Sequence, residues 1–238
     1  MVPRYTDSGL LVILPGDDPR EIVDEMLRVD YDEEFCVAPG FEPAFIAALM
    51  GAGFLVMSAL IEGEGGPSFH IALPKLHLSR SALFFDKLRL PKSLSRRLGL
   101  YDLRFDSDFD RILDRCVAVH GDGWLTPPLV RAIREIRALD LPHARPASFA
   151  LYRGGALVAG EFGVVSGRVY TSYSGYFDES GAGSAQIALA ARYLEEKGFD
   201  FFDLGMPLDY KARFGAVDIS PREFVRRFRL AQGPARAL

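Results

Sequence analysis

The sequence predicts an α+β fold, in which a mixed sheet with flanking helices follows a small N-terminal α/β domain. Two observations lead to this prediction. The helical spacing of apolar residues at several places before Ala147 gives way to the alternation typical of strands after it. A glycine-rich loop, residues 63–67, interrupts the chain after the first helices and strand. We therefore predict two domains, residues 1–66 and residues 67–238.

The first predicted domain contains two short helices and a strand. Apolar residues recur with helical spacing in residues 20–28 and again in residues 45–50. The stretch GAGFLVMSALIE, residues 51–62, is rich in the apolar and β-branched residues that strands favour. Helices and a strand in so short a segment predict a small α/β unit.

Residues 68–146 are expected to form a strand followed by helices. The stretch SFHIALP is strand-like, and the basic residues 79–98 predict one or two helices that Pro91 interrupts. Apolar residues in 109–117 recur at i, i+3, i+4, i+7 and i+8, which predicts a clear helix. Thr126 as a cap and Pro127 in the first turn predict the start of another.

The C-terminal part is expected to begin with three strands. Gly154–Gly155 and Gly167 mark the two turns between them. A helix follows and ends at Gly198, and a strand over 199–204 and a short helical piece over 207–214 come next. An antiparallel meander, then a helix, then a strand is the order of the GNAT acyltransferase fold. The sequence therefore predicts a GNAT-like mixed sheet, and an analogy of fold does not fix the function.

Composition indicates a globular protein. The 238 residues are 49% hydrophobic and 25% charged. No apolar run is long enough to span a bilayer, so we expect no membrane association and a cytoplasmic location. Cys116 falls on the apolar side of a predicted helix, which favours a buried thiol over a disulfide. The four histidines lack metal-ligand spacing, so we expect no metal and no cofactor. No heptad pattern is visible, and we expect a monomer.

Charge is distributed unevenly along the chain. The net charge of −4 argues against non-specific binding of nucleic acid. Between residues 75 and 104, however, basic residues greatly outnumber acidic ones. A local basic strip can hold a phosphate backbone, and it can equally be a solvated helix face. The candidates for phosphate contacts are Lys75, His77, Arg80, Lys87, Arg89, Lys92, Arg96 and Arg97.

Several stretches together resemble the leucyl/phenylalanyl-tRNA–protein transferases. They are, in order, LHLSRS (76–81), DGWLT (122–126), LVAGEFGVVSGRVY (157–170), GFDFFDLG (198–205) and FGAVDISPREF (214–224). Each motif alone is weak evidence, but their order and spacing are specific. The resemblance covers about 160 residues and is weakest before residue 70.

The resemblance implies an enzyme that moves an amino acid from aminoacyl-tRNA to the N-terminus of an acceptor protein. It implies a leucine- or phenylalanine-like donor, an acceptor with a basic N-terminal residue, and a part in N-degron protein degradation. The partners would be aminoacyl-tRNA, held by the basic strip, and the acceptor protein.

The resemblance also assigns a role to Asp203, an acid at the end of an otherwise apolar strand. It implies a catalytic carboxylate that faces an open cleft and holds the acceptor amine or accepts its proton. Two structural roles stay open: Asp203 caps the following turn, or it pairs with Lys211 or Arg213.

The resemblance implies a substrate pocket that differs from that of the family. Where the family has apolar residues, this chain has Glu161 and Arg192, which either pair with each other or face solvent. The family's Gln, Trp and Glu correspond to Gly205, Met57 and a position near Tyr173. The candidate substrate-binding residues are Trp124, Glu161, Tyr170, Tyr173, Ser174, Leu189 and Phe202.

Two other functions stay open. A GNAT-type acyltransferase would bind acyl-coenzyme A at a glycine-rich turn before a helix, and SGAGSA, residues 180–185, has that composition. Asp178 and Glu179 precede that turn and would repel phosphate. The second open function is that of a non-catalytic descendant of the family that binds tRNA or peptide without transfer.

Overall fold

The computed structural model describes residues 3–63, 66–141 and 143–233. Contacts divide the chain into two compact units, Met1–Leu78 with Gly121–Arg145 and Ser79–His120 with Pro146–Leu238. Each unit is therefore assembled from two separate stretches of sequence. Residue 66, where the predicted domain boundary falls, lies in a loop between two paired strands of the first unit. The division into domains of residues 1–66 and 67–238 stays a prediction.

The elements of the described residues are as follows. The strands are β1 (Arg4–Tyr5), β2 (Leu11–Val12), β3 (Leu55–Ile61), β4 (Phe69–Lys75), β5 (Arg80–Leu83), β6 (Asp102–Phe105), β7 (Arg145–Arg153), β8 (Ala156–Ser166), β9 (Val169–Phe177), β10 (Phe201–Asp203) and β11 (Val217–Ile219). The helices are α1 (Pro19–Arg28), α2 (Pro43–Gly51), α3 (Lys92–Ser95), α4 (Phe109–His120), α5 (Pro127–Leu139), α6 (Ala182–Glu196), α7 (Asp209–Arg213) and α8 (Pro221–Ala231). Short 3₁₀ helices cover Phe85–Lys87 and Leu98–Leu100.

The first unit is built on two short antiparallel pairs, β1 with β2 and β3 with β4. Helix α1 begins after Asp18, whose side chain accepts a hydrogen bond from the Arg20 backbone N–H. The start of α5 is tied to β3, because the Ser58 hydroxyl hydrogen-bonds with the Thr126 hydroxyl at 2.8 Å. Ile133 and Ile136 on α5 are buried, as the helical spacing predicted.

The second unit is built on a seven-stranded mixed sheet in the order β11-β5-β10-β9-β8-β7-β6. Strands β7, β8 and β9 follow one another as a meander, and α6 then returns the chain so that β10 pairs with β9 in parallel. Strand β6 pairs antiparallel with β7, to which the chain returns through α4 and α5. Strand β5 comes from an earlier part of the chain and pairs antiparallel with both β10 and β11. The predicted α+β class and the order of meander, helix and strand are confirmed.

One face of this sheet is covered by α6. Ala190, Ala191 and Leu194 of the helix pack with Phe149 and Tyr170 of the sheet in one buried apolar cluster. Alanine side chains let the helix backbone approach the strands closely, and the large aromatic rings of the sheet are buried beneath it. The sheet and α6 together form a stable platform for the strand ends.

The basic stretch 79–98 differs from its prediction. It begins with strand β5 and continues as short helical turns, whereas one or two basic helices were expected. Strand β11 and helix α8 were also not predicted. Cys36 and Cys116 are free thiols and both are buried, as expected for Cys116. No helix among the described residues is long and apolar enough to cross a membrane.

Candidate functional site

The candidate site lies where β9 and β10 part. The last pair between these strands is Asp203 with Thr171, and β9 continues beyond it to Phe177. A bulge follows in the pairing of β8 with β9, between Phe162 and Gly163. Strand ends and bulges turn side chains away from a regular sheet and are common beside binding sites.

Asp203 is completely buried at the end of β10. Its carboxylate accepts hydrogen bonds from Arg80 Nε at 2.9 Å and Arg80 Nη2 at 2.6 Å. It also accepts from the Thr171 hydroxyl at 2.8 Å and the Gly205 backbone N–H at 3.0 Å. Burial by itself would raise the pKa of Asp203, but the Arg80 charge and these four hydrogen bonds hold it below its ordinary value. The carboxylate is therefore ionised at neutral pH.

The expected open position of Asp203 is wrong. The residue is 0% exposed, and its ion pair is with Arg80, where Lys211 or Arg213 had been considered. The turn-capping role is present through Gly205. An acid ends this apolar strand because a buried arginine on the neighbouring strand β5 needs a partner. A catalytic contribution from Asp203 stays a prediction.

Arg80 also differs from its predicted role as a phosphate-binding residue. It is 1% exposed, and its guanidinium lies 4.1 Å from the centre of the Phe224 ring on α8. Because the Asp203 carboxylate accepts hydrogen bonds from the Arg80 guanidinium and the Phe224 ring covers its face, Arg80 is not available to bind a phosphate at the surface. The prediction of a phosphate contact is wrong for Arg80.

Glu161 is a second buried acid in the same region. It is 7% exposed and points to the face of the sheet that α6 covers, with Gly163 and Val165 on the same side of β8. No described residue hydrogen-bonds to Glu161 Oε1. Burial raises the pKa of Glu161 to about 7, although the Ser172 hydroxyl, the Lys211 charge and the Tyr170 hydroxyl each lower it.

Tyr170 leans toward Glu161 across a glycine. A Cβ atom on Gly163 would lie 2.6 Å from Tyr170 Cζ and 2.8 Å from the Tyr170 hydroxyl oxygen. The ring is 0% exposed and packs edge-on against Phe149 and Phe202. Its hydroxyl lies beside the Glu161 carboxylate and interacts with it by hydrogen bonding, although the pair falls short of standard hydrogen-bond geometry. Burial, and next the Glu161 charge, raise the pKa of Tyr170, so the phenol is neutral.

Lys211 completes this group from α7. Its ammonium donates to the carbonyls of Leu204 and Met206, just beyond the end of β10. Burial lowers the pKa of Lys211, and the charges of Asp203 and Glu161 oppose that change. We name Glu161, Tyr170, Ser172 and Lys211 the Glu161 cluster. With Arg80 and Asp203 beside it, two acidic and two basic residues meet around one strand end.

The other predicted substrate-binding residues are dispersed. Phe202 is buried against Tyr170, and Leu189 is half-buried on α6. The Tyr173 ring packs at a tilt against Phe162, with ring centres 5.9 Å apart, and the Ser174 carbonyl accepts from the Cys116 thiol. Trp124 belongs to the first unit, where its carbonyl accepts hydrogen bonds from Ser58.

Arg192 does not pair with Glu161. It lies on the exposed side of α6, so the predicted alternative of a Glu161–Arg192 pair is wrong. Glu161 instead faces Lys211, Ser172 and Tyr170. The polar run of β9, Tyr170 to Ser174, was the sequence signal for Ser172, since such a run is unusual in a buried strand. Lys211 carried no comparable signal.

The basic strip does not form one surface. In the first unit, Lys75 is half-buried, pairs with Glu34 at 2.7 Å and lies over the Phe35 ring, and His77 is buried. In the second unit, Arg80 is buried, and the other five members are exposed. We name these the 87–97 basic segment: Lys87, Arg89, Lys92, Arg96 and Arg97.

The glycine-rich turn before α6 is bordered by acids, as expected. Gly181 caps the helix with a φ of +86°. Glu179 pairs with Arg153, and Asp178 pairs with Arg115 at 2.5 Å. Arginine partners partly offset the negative charge that would oppose a phosphate at this turn. Among the described residues, no group of acids, histidines and cysteines is placed to hold a metal ion.

A family model described as "Leucyl/phenylalanyl-tRNA protein transferase" matches residues 82–229, well over half of the chain. The chain belongs to this family. The match includes the whole Glu161 cluster and Asp203, and it begins two residues after Arg80. The family resemblance inferred from the motifs is therefore confirmed.

Individual relatives of this family member are distant. A leucyl/phenylalanyl-tRNA–protein transferase of Pseudomonas putida is 31% identical over 150 residues, which are 61% of this chain and 65% of that protein. The enzyme of the same name from Rubrobacter xylanophilus is 30% identical over 151 residues, which are 62% of this chain and 76% of that protein. The chain thus spans slightly under two thirds of the length of the Pseudomonas relative.

Among solved structures, L-PGS from Bacillus licheniformis aligns with a TM-score of 0.45 and 13% identity, over 98% of this chain and 89% of that one. A GCN5-related N-acetyltransferase from Kribbella flavida aligns with a TM-score of 0.38 and 13% identity, over 87% of this chain and 77% of that one. Likenesses this distant say nothing about activity.

Proposed function

We propose that this family member transfers an amino acid from aminoacyl-tRNA to the free α-amine of an acceptor protein. The observation that carries the proposal is the family match over residues 82–229, which contains the buried polar residues around the end of β10. In the reaction, the amine nitrogen attacks the ester carbonyl, a C–N bond forms, and the bond to the ribose oxygen breaks. The proton lost by the nitrogen passes to that oxygen.

The exposed 87–97 basic segment is the part of the proposed tRNA interface that the geometry supports best. Lys92 and Arg96 lie on or next to α3, with Arg89 three residues before it, and all three side chains are exposed. Positive side chains on an exposed stretch bind phosphates without reading sequence. Lys75 and His77 are less favourable, since burial and the Glu34 ion pair occupy them.

The finer proposals concern the acceptor and the biological role. We propose an acceptor that begins with arginine or lysine, and addition of a residue that marks the acceptor for degradation in the cytoplasm. The protein would act as a monomer without a cofactor. The acceptor and the role in degradation follow from the family resemblance, whereas the monomer follows from the lack of a heptad pattern in the sequence.

An acid gel that separates charged from uncharged tRNA tests the proposed reaction. Total tRNA charged with labelled amino acids is incubated with the protein and a peptide that begins with arginine. We expect deacylation of tRNA that depends on the protein and on the peptide. An N-acetylated peptide is the matched control, because its blocked nitrogen cannot attack. Deacylation at the same rate with both peptides would mean hydrolysis and would contradict the proposal.

A further inference from the structure

Helix α8 carries a second concentration of positive charge in the second unit. Residues 221–231 have a net charge of +3, and residues 84–97, which include the 87–97 basic segment, have a net charge of +4. The whole chain has a net charge of −4, so these two short stretches are strongly basic parts of an acidic protein. The basic residues of α8 are Arg222, Arg226, Arg227 and Arg229.

The packing of α8 turns part of this charge toward solvent. Phe224 and Phe228 are buried, and the Phe224 ring packs edge-on against Phe201 of β10. On the other side of the helix, Arg222 and Arg226 are exposed. Because they are four residues apart, these two arginines are neighbours on the helix surface.

Glu223 orients two of the arginines at the start of the helix. The Glu223 backbone N–H donates to the Ser220 hydroxyl at 3.3 Å, which caps α8. The Glu223 carboxylate accepts from Arg226 Nε and Nη2 at 2.9 and 2.8 Å, and it also accepts from Arg227 Nε. One carboxylate between two guanidiniums leaves a positive charge. Since each guanidinium has five N–H donors, this pairing restrains both arginines without using all their donors.

Packing also joins α8 to the 87–97 basic segment. The Arg227 guanidinium lies 4.4 Å from the centre of the Phe84 ring. Lys87 follows Phe84 by three residues, which is at most about 11 Å of chain. The Arg89 backbone N–H donates to the Phe214 carbonyl at 2.8 Å, shortly before β11, and β11 leads directly into α8.

Gly215 permits this close contact. A Cβ atom on Gly215 would lie 1.9 Å from the Lys87 carbonyl oxygen and 3.5 Å from Arg89 Cγ, and the φ of Gly215 is +92°. The backbone of the 87–97 basic segment is therefore packed against the stretch that precedes β11 and α8. Both basic stretches belong to the second unit.

The burial of its apolar side selects the kind of anionic partner that fits α8. A basic helix that binds a lipid surface inserts its apolar side into the membrane, and in α8 that side packs on the protein. Phosphates repeat along a nucleic-acid strand and match positive side chains that are spread over an extended surface. An RNA backbone therefore fits this surface better than a membrane does.

We propose that the exposed side of α8, with Arg222 and Arg226, continues the 87–97 basic segment as one surface for the phosphate backbone of an RNA. The inference rests on the proposed function, in which that RNA is the aminoacyl-tRNA. Phosphate contacts position a nucleic acid without reading its sequence. The surface thus orients the tRNA and leaves the choice of amino acid to other residues.

The salt dependence of tRNA binding tests the surface. The α8 variant combines Arg222→Gln with Arg226→Gln, and total uncharged tRNA is the ligand. We expect binding to be weaker by about 25-fold at 0.1 M salt and nearly equal at 1 M, because two lost phosphate contacts remove about 1.4 from the magnitude of the log–log slope. Both changes are on the surface, so the urea midpoint should stay the same.

The matched control combines Arg192→Gln with Lys197→Gln. Both residues are exposed, on α6 and at its end. Helix α6 packs on the side of Phe202 and α8 on the side of Phe201, so the control removes two charges from the opposite face of the sheet. We expect no change of slope in the control.

Cross-linking tests direct contact. Cys36 and Cys116 are buried, and burial raises the pKa of each thiol to about 12, so neither reacts readily. A benzophenone label therefore attaches to the cysteine introduced by Arg226→Cys. We expect this label to cross-link to tRNA, and we expect the cross-link to be lost when the label is placed by Lys197→Cys.

An unchanged slope in the α8 variant would overturn the surface, and so would an equal decrease in the control or equal cross-linking from positions 226 and 197. Weaker binding of the α8 variant to phosphatidylglycerol vesicles, with tRNA binding unchanged, would overturn it in favour of a membrane. A protein that transfers an amino acid but binds tRNA independently of α8 refutes the surface alone. A protein that binds tRNA through α8 without transfer refutes the proposed function and retains the surface.

Discussion

At the residue scale, two buried acids at one strand end have different states. Asp203 has four hydrogen-bond donors around it, and its pKa is held below the ordinary value. Glu161 has an open oxygen and a pKa raised to about 7. The difference is in partners, since both are buried. Asp203 therefore stabilises the fold, whereas Glu161 destabilises it when ionised.

The Arg80–Asp203 pair gives the first prediction. Asp203→Asn leaves the Arg80 charge buried without its counter-charge, and we expect a loss of about 3–5 kcal/mol in the free energy of unfolding, measured by urea denaturation. The double variant Arg80→Met with Asp203→Leu removes both charges and should recover most of that loss. A double variant no more stable than Asp203→Asn would contradict this explanation.

Glu161 gives a prediction about pH. Its folded pKa of about 7 exceeds the ordinary value of 4.5, so the folded state binds the proton more tightly than the unfolded state. The Glu161 contribution to stability is most favourable below about pH 4.5 and is lost as pH rises to about 7, by roughly 3 kcal/mol.

Glu161→Gln removes this titration. The stability of the variant relative to the natural protein should rise between pH 4.5 and pH 7 and be constant above that range. Urea denaturation at each pH measures it, with the exposed change Glu195→Gln as the control. A difference that does not change with pH would show that Glu161 titrates normally in the folded protein.

At the element scale, the strands differ in how visible they were in the sequence. Helices α1, α4 and α5 have strong periodic patterns, Gly198 marks the end of α6, and glycines mark the turns of the β7–β9 meander, so these were predicted. Strand β5 has four residues and begins with a buried arginine, and β11 has three, so neither has a pattern that local rules detect.

The candidate site was predictable in part, because local sequence patterns reveal unusual residues but do not reveal their distant partners. Asp203 and Glu161 were recognisable as acids within apolar strands. The partner of Asp203 was not, because Arg80 is 123 positions away and is brought close only by the pairing of β5 with β10. An arginine in a basic stretch suggests phosphate binding, and tertiary pairing overrode that suggestion.

Gly163 gives a prediction for the β8–β9 pair. An added Cβ would lie 2.3 Å from the Thr171 carbonyl oxygen and would also meet the Tyr170 ring. We expect Gly163→Ala to lower the free energy of unfolding by about 1–3 kcal/mol, measured by chemical denaturation. Gly99→Ala is the control, since nothing lies within 4 Å of its added Cβ. Equal stability of the two variants would mean that Tyr170 is not held across Gly163.

At the scale of the whole molecule, charge is segregated even though the net value is −4. The 87–97 basic segment is exposed in an overall acidic protein, and we propose it as a local phosphate-binding surface. The basic strip predicted from the sequence included Arg80 and His77, but both residues are buried and are therefore not part of the exposed surface.

Salt dependence tests this surface. In the triple variant Arg89→Gln, Lys92→Gln and Arg96→Gln, the negative slope of log affinity for tRNA against log salt should decrease in magnitude by about 2, because each phosphate that the protein no longer neutralises removes about 0.7 from that magnitude. The matched control replaces three exposed arginines of the first unit, Arg20, Arg28 and Arg131, with glutamine. An equal decrease in the magnitude of the slope in both variants would exclude a specific role for the 87–97 basic segment.

The most direct test of amino acid transfer is the mass spectrum of the acceptor. An arginine-starting peptide is incubated with the protein and total charged tRNA and then fragmented. The account predicts a peptide that has gained one amino acid residue, joined by an amide bond at its N-terminus. Binding of charged tRNA with an unmodified peptide, across the whole tRNA pool, would contradict transfer and would indicate a binding protein instead.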